Sequence, residues 1–184
     1  MKFIIHMALM LSVIFNTMAQ DKYADFNGQK KSITLNTGIQ MKYIDTGNPG
    51  GEAVVLLHGY TDASRSFQQM MEELTRLNKN LRIIAPDQRG HGESSMPDPV
   101  KCRNSPGGCF TMDLFAADII DLMDQLKIQQ ATIVGASMGT VIAQTLALQH
   151  ADRIKKMILI GTFVNGKNNT TLHDFLLGEM IGKN

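Results

Sequence analysis

Tryptophan is absent from the 184 residues, cysteine occurs twice, proline five times, and the charges of opposite sign almost cancel. With 18 Lys and Arg against 17 Asp and Glu, the net charge is +1. Nucleic acids and other polyanions call for a clear basic excess, so they are excluded as principal partners. Two cysteines do not make a disulfide-built scaffold. With no third ligand in register they do not make a zinc site either, so no metal is expected. Five Pro and 16 Gly rule out collagen-like and low-complexity chains. What remains is 43% hydrophobic and 19% charged, the balance of a chain that folds around a core. The length suits one domain, and no internal repeat is visible.

The first twenty residues do not read as part of that domain. Met1-Lys2 supplies a positive start, Phe3 to Phe15 is apolar apart from His6 and Ser12, and Thr17-Met18-Ala19 places small residues before a cut after Ala19. This is the layout of a secretory signal peptide over residues 1–19, with an uncleaved anchor as the alternative. The apolar stretch is short for a membrane span, so no stable span is expected after cleavage. A secreted or periplasmic location follows. Cys102 and Cys109 agree with export: they bracket a turn-forming insert, Arg-Asn-Ser-Pro-Gly-Gly, and in an oxidising compartment are candidates to close a small loop. Two free thiols are the alternative.

Beyond residue 30 the pattern alternates. Residues 32–35 and 39–45 switch between apolar and polar around Asn36-Thr37-Gly38, which predicts an antiparallel hairpin with one wetted face. Ala53 to Leu57 is an unbroken apolar run, and similar, mostly apolar runs are Arg82-Ile83-Ile84-Ala85, Ala131-Thr132-Ile133-Val134 and Met157-Ile158-Leu159-Ile160. Such runs predict strands buried on both faces of a parallel sheet. Between them lie helical stripes: Phe67, Met70, Met71, Leu74 and Leu77; then Leu114, Phe115, Ile119, Leu122, Met123 and Leu126 behind a Thr111 N-cap; then Val141, Ile142, Leu146 and Leu148. The stripes read as core, with no cofactor box in them. The order predicts an α/β fold: an N-terminal antiparallel hairpin joined to a mostly parallel sheet with helices on both faces.

Three motifs lie where strands hand over to helices or loops. Gly135-Ala136-Ser137-Met138-Gly139 matches G-x-S-x-G between a buried strand and a helical pattern. A serine on so sharp a bend leaves little room for side chains two positions either side, a demand glycine meets. The helix start then aims unpaired N–H groups at a reacting oxygen. The alternative is a tight turn with an ordinary serine. His58-Gly59-Tyr60 follows the first buried strand and is placed to turn a second N–H toward the same crevice. An acyl-transfer oxyanion wants two such donors, here assigned to the N–H groups of Met138 and Tyr60. His58 is read as bracing its loop. Asp87 to Ser94 (Asp-Gln-Arg-Gly-His-Gly-Glu-Ser) permits a sharp reversal, which Asp87 and Arg89 are expected to tie by charge-assisted hydrogen bonds.

From about Ile39 to Thr162 these motifs, with Met157 to Thr162, resemble the α/β-hydrolase fold family in order and spacing. The closest flavour is its esterase, lactonase and non-haem haloperoxidase-like branch. The resemblance implies that Ser137 is the nucleophile, that Tyr60 and Met138 give the oxyanion hole, and that the substrate is a small molecule with an ester, lactone or similar acyl bond. No cofactor is implied. Ala136 stands where many relatives carry His, which leaves the nucleophile unchanged. The family also places an acid after the next strand and a histidine after the last one. No strand pattern follows Thr162; residues 163–184 read as a loop and one amphipathic helix, like the start of a cap.

Serine needs an adjacent base to be a good nucleophile. A truncated, weakly active form with an open sheet edge and an uncovered apolar face is therefore expected, with residues 20–162 as the N-terminal part of the hydrolase domain. A non-catalytic binding protein using the same crevice is the alternative. The oligomeric state and the substrate itself are left open.

Overall fold

The computed structural model describes residues 25–103 and 108–162; the expected signal segment and the cap-like segment lie outside them. Six strands form one mixed sheet: β1 (Lys31–Thr34), β2 (Gln40–Gly47), β3 (Glu52–Leu57), β4 (Leu81–Pro86), β5 (Ala131–Ala136) and β6 (Ile154–Ile160). The order across the sheet is β1-β2-β4-β3-β5-β6. β1 pairs antiparallel with β2, and β2 antiparallel with β4. From β4 onward every pairing is parallel. Four helices connect them: α1 (Gln68–Leu77), the short α2 (Pro99–Arg103), α3 (Met112–Gln125) and α4 (Met138–Gln149).

The apolar run 53–57 belongs in the middle of this sheet. β3 lies between β4 and β5, with Val55 opposite Ile84 on one side and Ile133 on the other. Successive side chains of a strand point to opposite faces, so its residues serve two cores. Val55 and Leu57 pack with Phe115, Ile119 and Leu122 of α3 and Ile142 and Leu146 of α4. Val54 and Leu56 pack with Phe67 and Met71 on the other face.

Local chemistry sets the element ends. The Thr111 hydroxyl accepts from the Leu114 N–H at 3.3 Å and caps α3, with Asp113 in its first turn. The β1–β2 hairpin turns through Gly38 at φ +87°, a conformation glycine adopts without strain. The turn is fixed to α3: Thr37 Oγ1 donates to Asp118 at 2.6 Å, and Asn36 donates from both its amide groups to Asp121.

The run 157–160 reads as a strand able to be buried on both faces, with an open sheet edge and an uncovered apolar face expected beyond it. Among the described residues β6 forms the sheet edge, with one partner, β5, and Met157, Ile158 and Ile160 exposed. An apolar run looks the same in a central strand and in an edge strand, because hydrophobicity does not report how many neighbours a strand has. Leu77 and Leu148 are likewise exposed, since each stripe runs past the packing surface at its helix end.

Candidate active site

The carboxyl ends of β3, β5 and β6 meet at Ser137. This residue ends the strand side of a strand-to-helix bend and stands as the N-cap of α4, with φ +49° and ψ −117°. For a residue with a Cβ this is sparsely populated backbone, of the kind that persists only when its surroundings enforce it. The surroundings do so through backbone. Ser137 N–H donates to the Ile160 carbonyl at 3.0 Å, and the Ser137 carbonyl accepts from Thr140 N–H at 2.8 Å and Thr140 Oγ1 at 2.7 Å.

The two motif glycines are explained by close approach. A methyl on Gly139 would lie 2.7 Å from the Leu57 carbonyl carbon and 3.0 Å from the His58 oxygen. One on Gly135 would lie 2.6 Å from the Gly139 carbonyl carbon. α4 therefore runs directly against β3 and β5, and its first turn carries Ser137 outward to solvent.

Gly59 faces this bend. A methyl there would sit 3.3 Å from Ser137 Cβ and 3.8 Å from its Oγ. Tyr60 follows directly, as Met138 follows Ser137. Among the described residues, neither the Tyr60 N–H nor the Met138 N–H donates to a protein acceptor. Both amides thus lie next to the bend, Met138 directly after the exposed serine and Tyr60 directly after the glycine packed against it, and neither is engaged among the described residues. Among the described residues no histidine or carboxylate hydrogen-bonds that hydroxyl. His150 stands at the far end of α4, and His173 lies outside the described residues.

His58 is fully buried and both its ring nitrogens are engaged. Nδ1 lies 2.7 Å from the Gly59 carbonyl, and Nε2 accepts from the Gln88 N–H at 3.0 Å. A carbonyl only accepts, so Nδ1 carries the proton. Burial pulls the imidazole pKa down to about 4, which keeps it neutral. Gln88 Nε2 returns a bond to the His58 carbonyl at 2.8 Å. The pair locks the turn that presents Gly59 and Tyr60.

The loop after β4 is held by two buried carboxylates, not as the sequence suggested. Asp87 does not pair with Arg89. It accepts from Lys30 Nζ at 2.7 Å, from Ser64 N–H at 2.9 Å and Oγ at 2.6 Å, and from Glu93 N–H at 2.9 Å. Burial pushes its carboxyl up, but the bonds from Lys30 and Ser64 outweigh that and hold it below the usual range. Arg89 instead pairs in two-pronged fashion with Asp118 of α3, both bonds 2.7 Å, and donates to the Cys109 carbonyl at 2.9 Å. Cys109 is joined by a disulfide to Cys102. Lys30 and Asp118 were not singled out by sequence reasoning, and Gln88 entered it only as part of the Asp87–Ser94 motif, with no role of its own. A readable signal for Asp118 is a carboxylate beside an apolar helix stripe.

Two open grooves lie elsewhere, at the amino ends of β5 and β6. One, of about 530 Å³, is lined by residues 127–130 with Asp124, Asp152 and Arg153. It holds no serine, cysteine or histidine, and Arg153 is engaged by Asp124 and by the Gln129 and Ile128 carbonyls. Among the described residues no cluster of three metal-ligating side chains occurs, and no helix is long and apolar enough to cross a membrane.

Comparison with known proteins agrees with this fold. Residues 52–179 match the family model described as the alpha/beta hydrolase fold. The chain is 29% identical over 117 residues to "Epoxide hydrolase A" of Mycobacterium tuberculosis, covering 64% of this chain and 34% of that protein. It is 35% identical over 134 residues to a "Putative non-heme chloroperoxidase" of Synechocystis, covering 72% of this chain and 42% of that one. A solved mutant epoxide hydrolase of Vigna radiata superposes with a TM-score of 0.66 at 25% identity, over 76% of this chain and 40% of that chain. The chain thus spans less than half the length of these relatives.

Proposed function

The chain belongs to the α/β-hydrolase fold family, and from that premise we propose that it is built for serine-dependent acyl transfer on a carboxylic ester, lactone or similar acyl bond. One observation carries the reading: an exposed serine in strained backbone, beside the amides of Tyr60 and Met138, which meet no acceptor among the described residues. In the proposed step Ser137 Oγ attacks the acyl carbon, its proton passes to a base, and the carbonyl oxygen becomes an oxyanion held by the N–H groups of Tyr60 and Met138. Each such donor is worth roughly 10²–10³ in rate. Collapse of the tetrahedral species expels the alcohol and leaves an acyl ester on Ser137, which water then hydrolyses.

Several relatives are named epoxide hydrolases, and the chemistry of a serine nucleophile decides between epoxide and ester. If Ser137 opened an epoxide, the product would be an alkyl ether of serine. That ether has no carbonyl for water to attack and no use for two amide donors, so turnover would stop. An acyl ester has both. General-base help is worth about 10²–10⁴-fold. Since no base reaches Ser137 among the described residues, these residues alone support slow acylation. An oxidising location, extracellular or periplasmic, is part of the same proposal and is supported by the Cys102–Cys109 disulfide.

The test is incubation with p-nitrophenyl acetate and, separately, with styrene oxide, followed by peptide mass mapping. Acetyl on Ser137, absent in Ser137→Ala, is expected. An epoxide-derived product formed in many turnovers per chain, with Ser137 never acetylated, overturns the reading.

A further inference from the structure

Three large apolar side chains stand exposed beside the candidate site, and they come from three separate stretches of chain: Tyr60 (41% exposed), Met96 (67%) and Phe110 (44%). All three converge on Gly90-His91. A methyl on Gly90 would lie 2.7 Å from Phe110 Cε1 and 3.3 Å from Met96 Sδ, so the ring and the thioether both rest on that glycine. Tyr60 stands edge-on to His91, with ring centroids 5.8 Å apart at 80°. His91 lies 6.2 Å from Phe115, and Phe115 6.3 Å from Phe110. The result is a continuous aromatic surface rooted in the core at Phe115 and open at Tyr60, Phe110 and Met96. It begins at the oxyanion donor itself, because Tyr60 adjoins the glycine packed against Ser137.

The surface is also held from beneath. Arg89 is locked to Asp118, lies 5.8 Å from the Phe115 ring centroid, and fixes the Cys109 carbonyl, one residue before Phe110. Its charge is met by Asp118 below the surface, so Arg89 offers no free cation to the apolar groups above it. Clustered exposed apolar groups at a site mark binding more often than accident. Aromatic rings and thioethers favour flat aromatic partners.

We propose that Tyr60, Met96 and Phe110 form a preformed subsite for an uncharged aromatic group on the acyl or alcohol side of the substrate. This rests on the reading of Ser137 above and narrows it to aryl-bearing esters.

The test uses the full chain labelled with ¹⁵N and two unreactive ketones, acetophenone and 2-butanone, which differ in phenyl against ethyl. Amide shifts at Tyr60, Gly90, His91 and Phe110 are expected, with acetophenone binding about tenfold more tightly. Phe110→Ala should bring that ratio to about twofold or less, and Met96→Ala should lower it in the same direction. Both side chains are exposed, so neither truncation opens the core; Leu77→Ala, an exposed leucine at the end of α1, should leave the ratio unchanged. Equal affinities overturn the subsite. So does an unchanged ratio in Phe110→Ala, or shifts centred on Ile158 and Ile160 of β6. Acetylation of Ser137 is read on the same preparations. If the unsubstituted chain is acetylated yet binds the two ketones equally, the subsite alone falls; if it is not acetylated, the reading beneath the subsite falls whatever the ratio.

Discussion

The two flanks of Ser137 are built differently. On the β3 side, every group that shapes the bend is buried and tied: Gly59 against the serine, His58 and Gln88 behind it, Arg89 on Asp118, Asp87 on Lys30. On the β6 side one backbone bond, Ser137 N–H to Ile160, joins the bend to a strand whose Met157, Ile158 and Ile160 are exposed. The contrast teaches that a serine can be held in strained backbone by one closed flank. In the proposed reaction, positioning the nucleophile and supplying its base are separate structural tasks, and the described residues would serve the first.

The largest break in that contrast should come from Asp118→Ala. It leaves the buried Arg89 guanidinium without its carboxylate and Thr37 without its acceptor. Losing one partner of a buried pair costs about 3–5 kcal/mol, to be read from urea unfolding. Next is acid. His58 has a folded pKa below its unfolded value, so the unfolded chain binds the extra proton between about pH 6.5 and 4 and stability falls as pH drops through that window. The full effect is about 3 kcal/mol, and His58→Gln should flatten the slope there. Asp87 acts lower down: its depressed pKa contributes stability above the usual carboxylate range that is lost at still more acid pH.

Gly139→Ala presses a methyl onto the Leu57 backbone, which cannot rotate away, and should cost about 1–3 kcal/mol while slowing acetylation of Ser137. On the open flank, Ile158→Thr should change unfolding free energy by no more than about 0.5 kcal/mol, as for other exposed positions. A loss on β6 equal to that of Asp118→Ala would abolish the contrast.

Much of the closed flank was legible in the sequence because its signals are local. G-x-S-x-G at 135–139 needs only five residues and a strand before it, and Thr111 needs only the helix it caps. His58 beside a Gly turn already read as a brace. What could not be read depends on distance along the chain. Asp87 and Arg89 sit two residues apart and looked like partners, yet each found a better-placed opposite charge, Lys30 57 residues away and Asp118 29 residues away. Two side chains at i and i+2 of a turning loop point to different neighbours, so spacing alone misassigned them. The sequence of β6 taken by itself records the faces it can cover; its place at the edge among the described residues follows from the strand order, which an apolar run does not carry.

The account stands most directly on the two amides beside the serine. Prolonged treatment of the full chain with a fluorophosphonate, followed by amide hydrogen exchange, measures both the hydroxyl and its donors at once. The prediction is a single phosphonyl group on Ser137 and slowed exchange at Tyr60 and Met138, with both changes absent in Ser137→Ala. A phosphonylated Ser137 with Tyr60 and Met138 exchanging as before, or a label on another residue with Ser137 untouched, would contradict it.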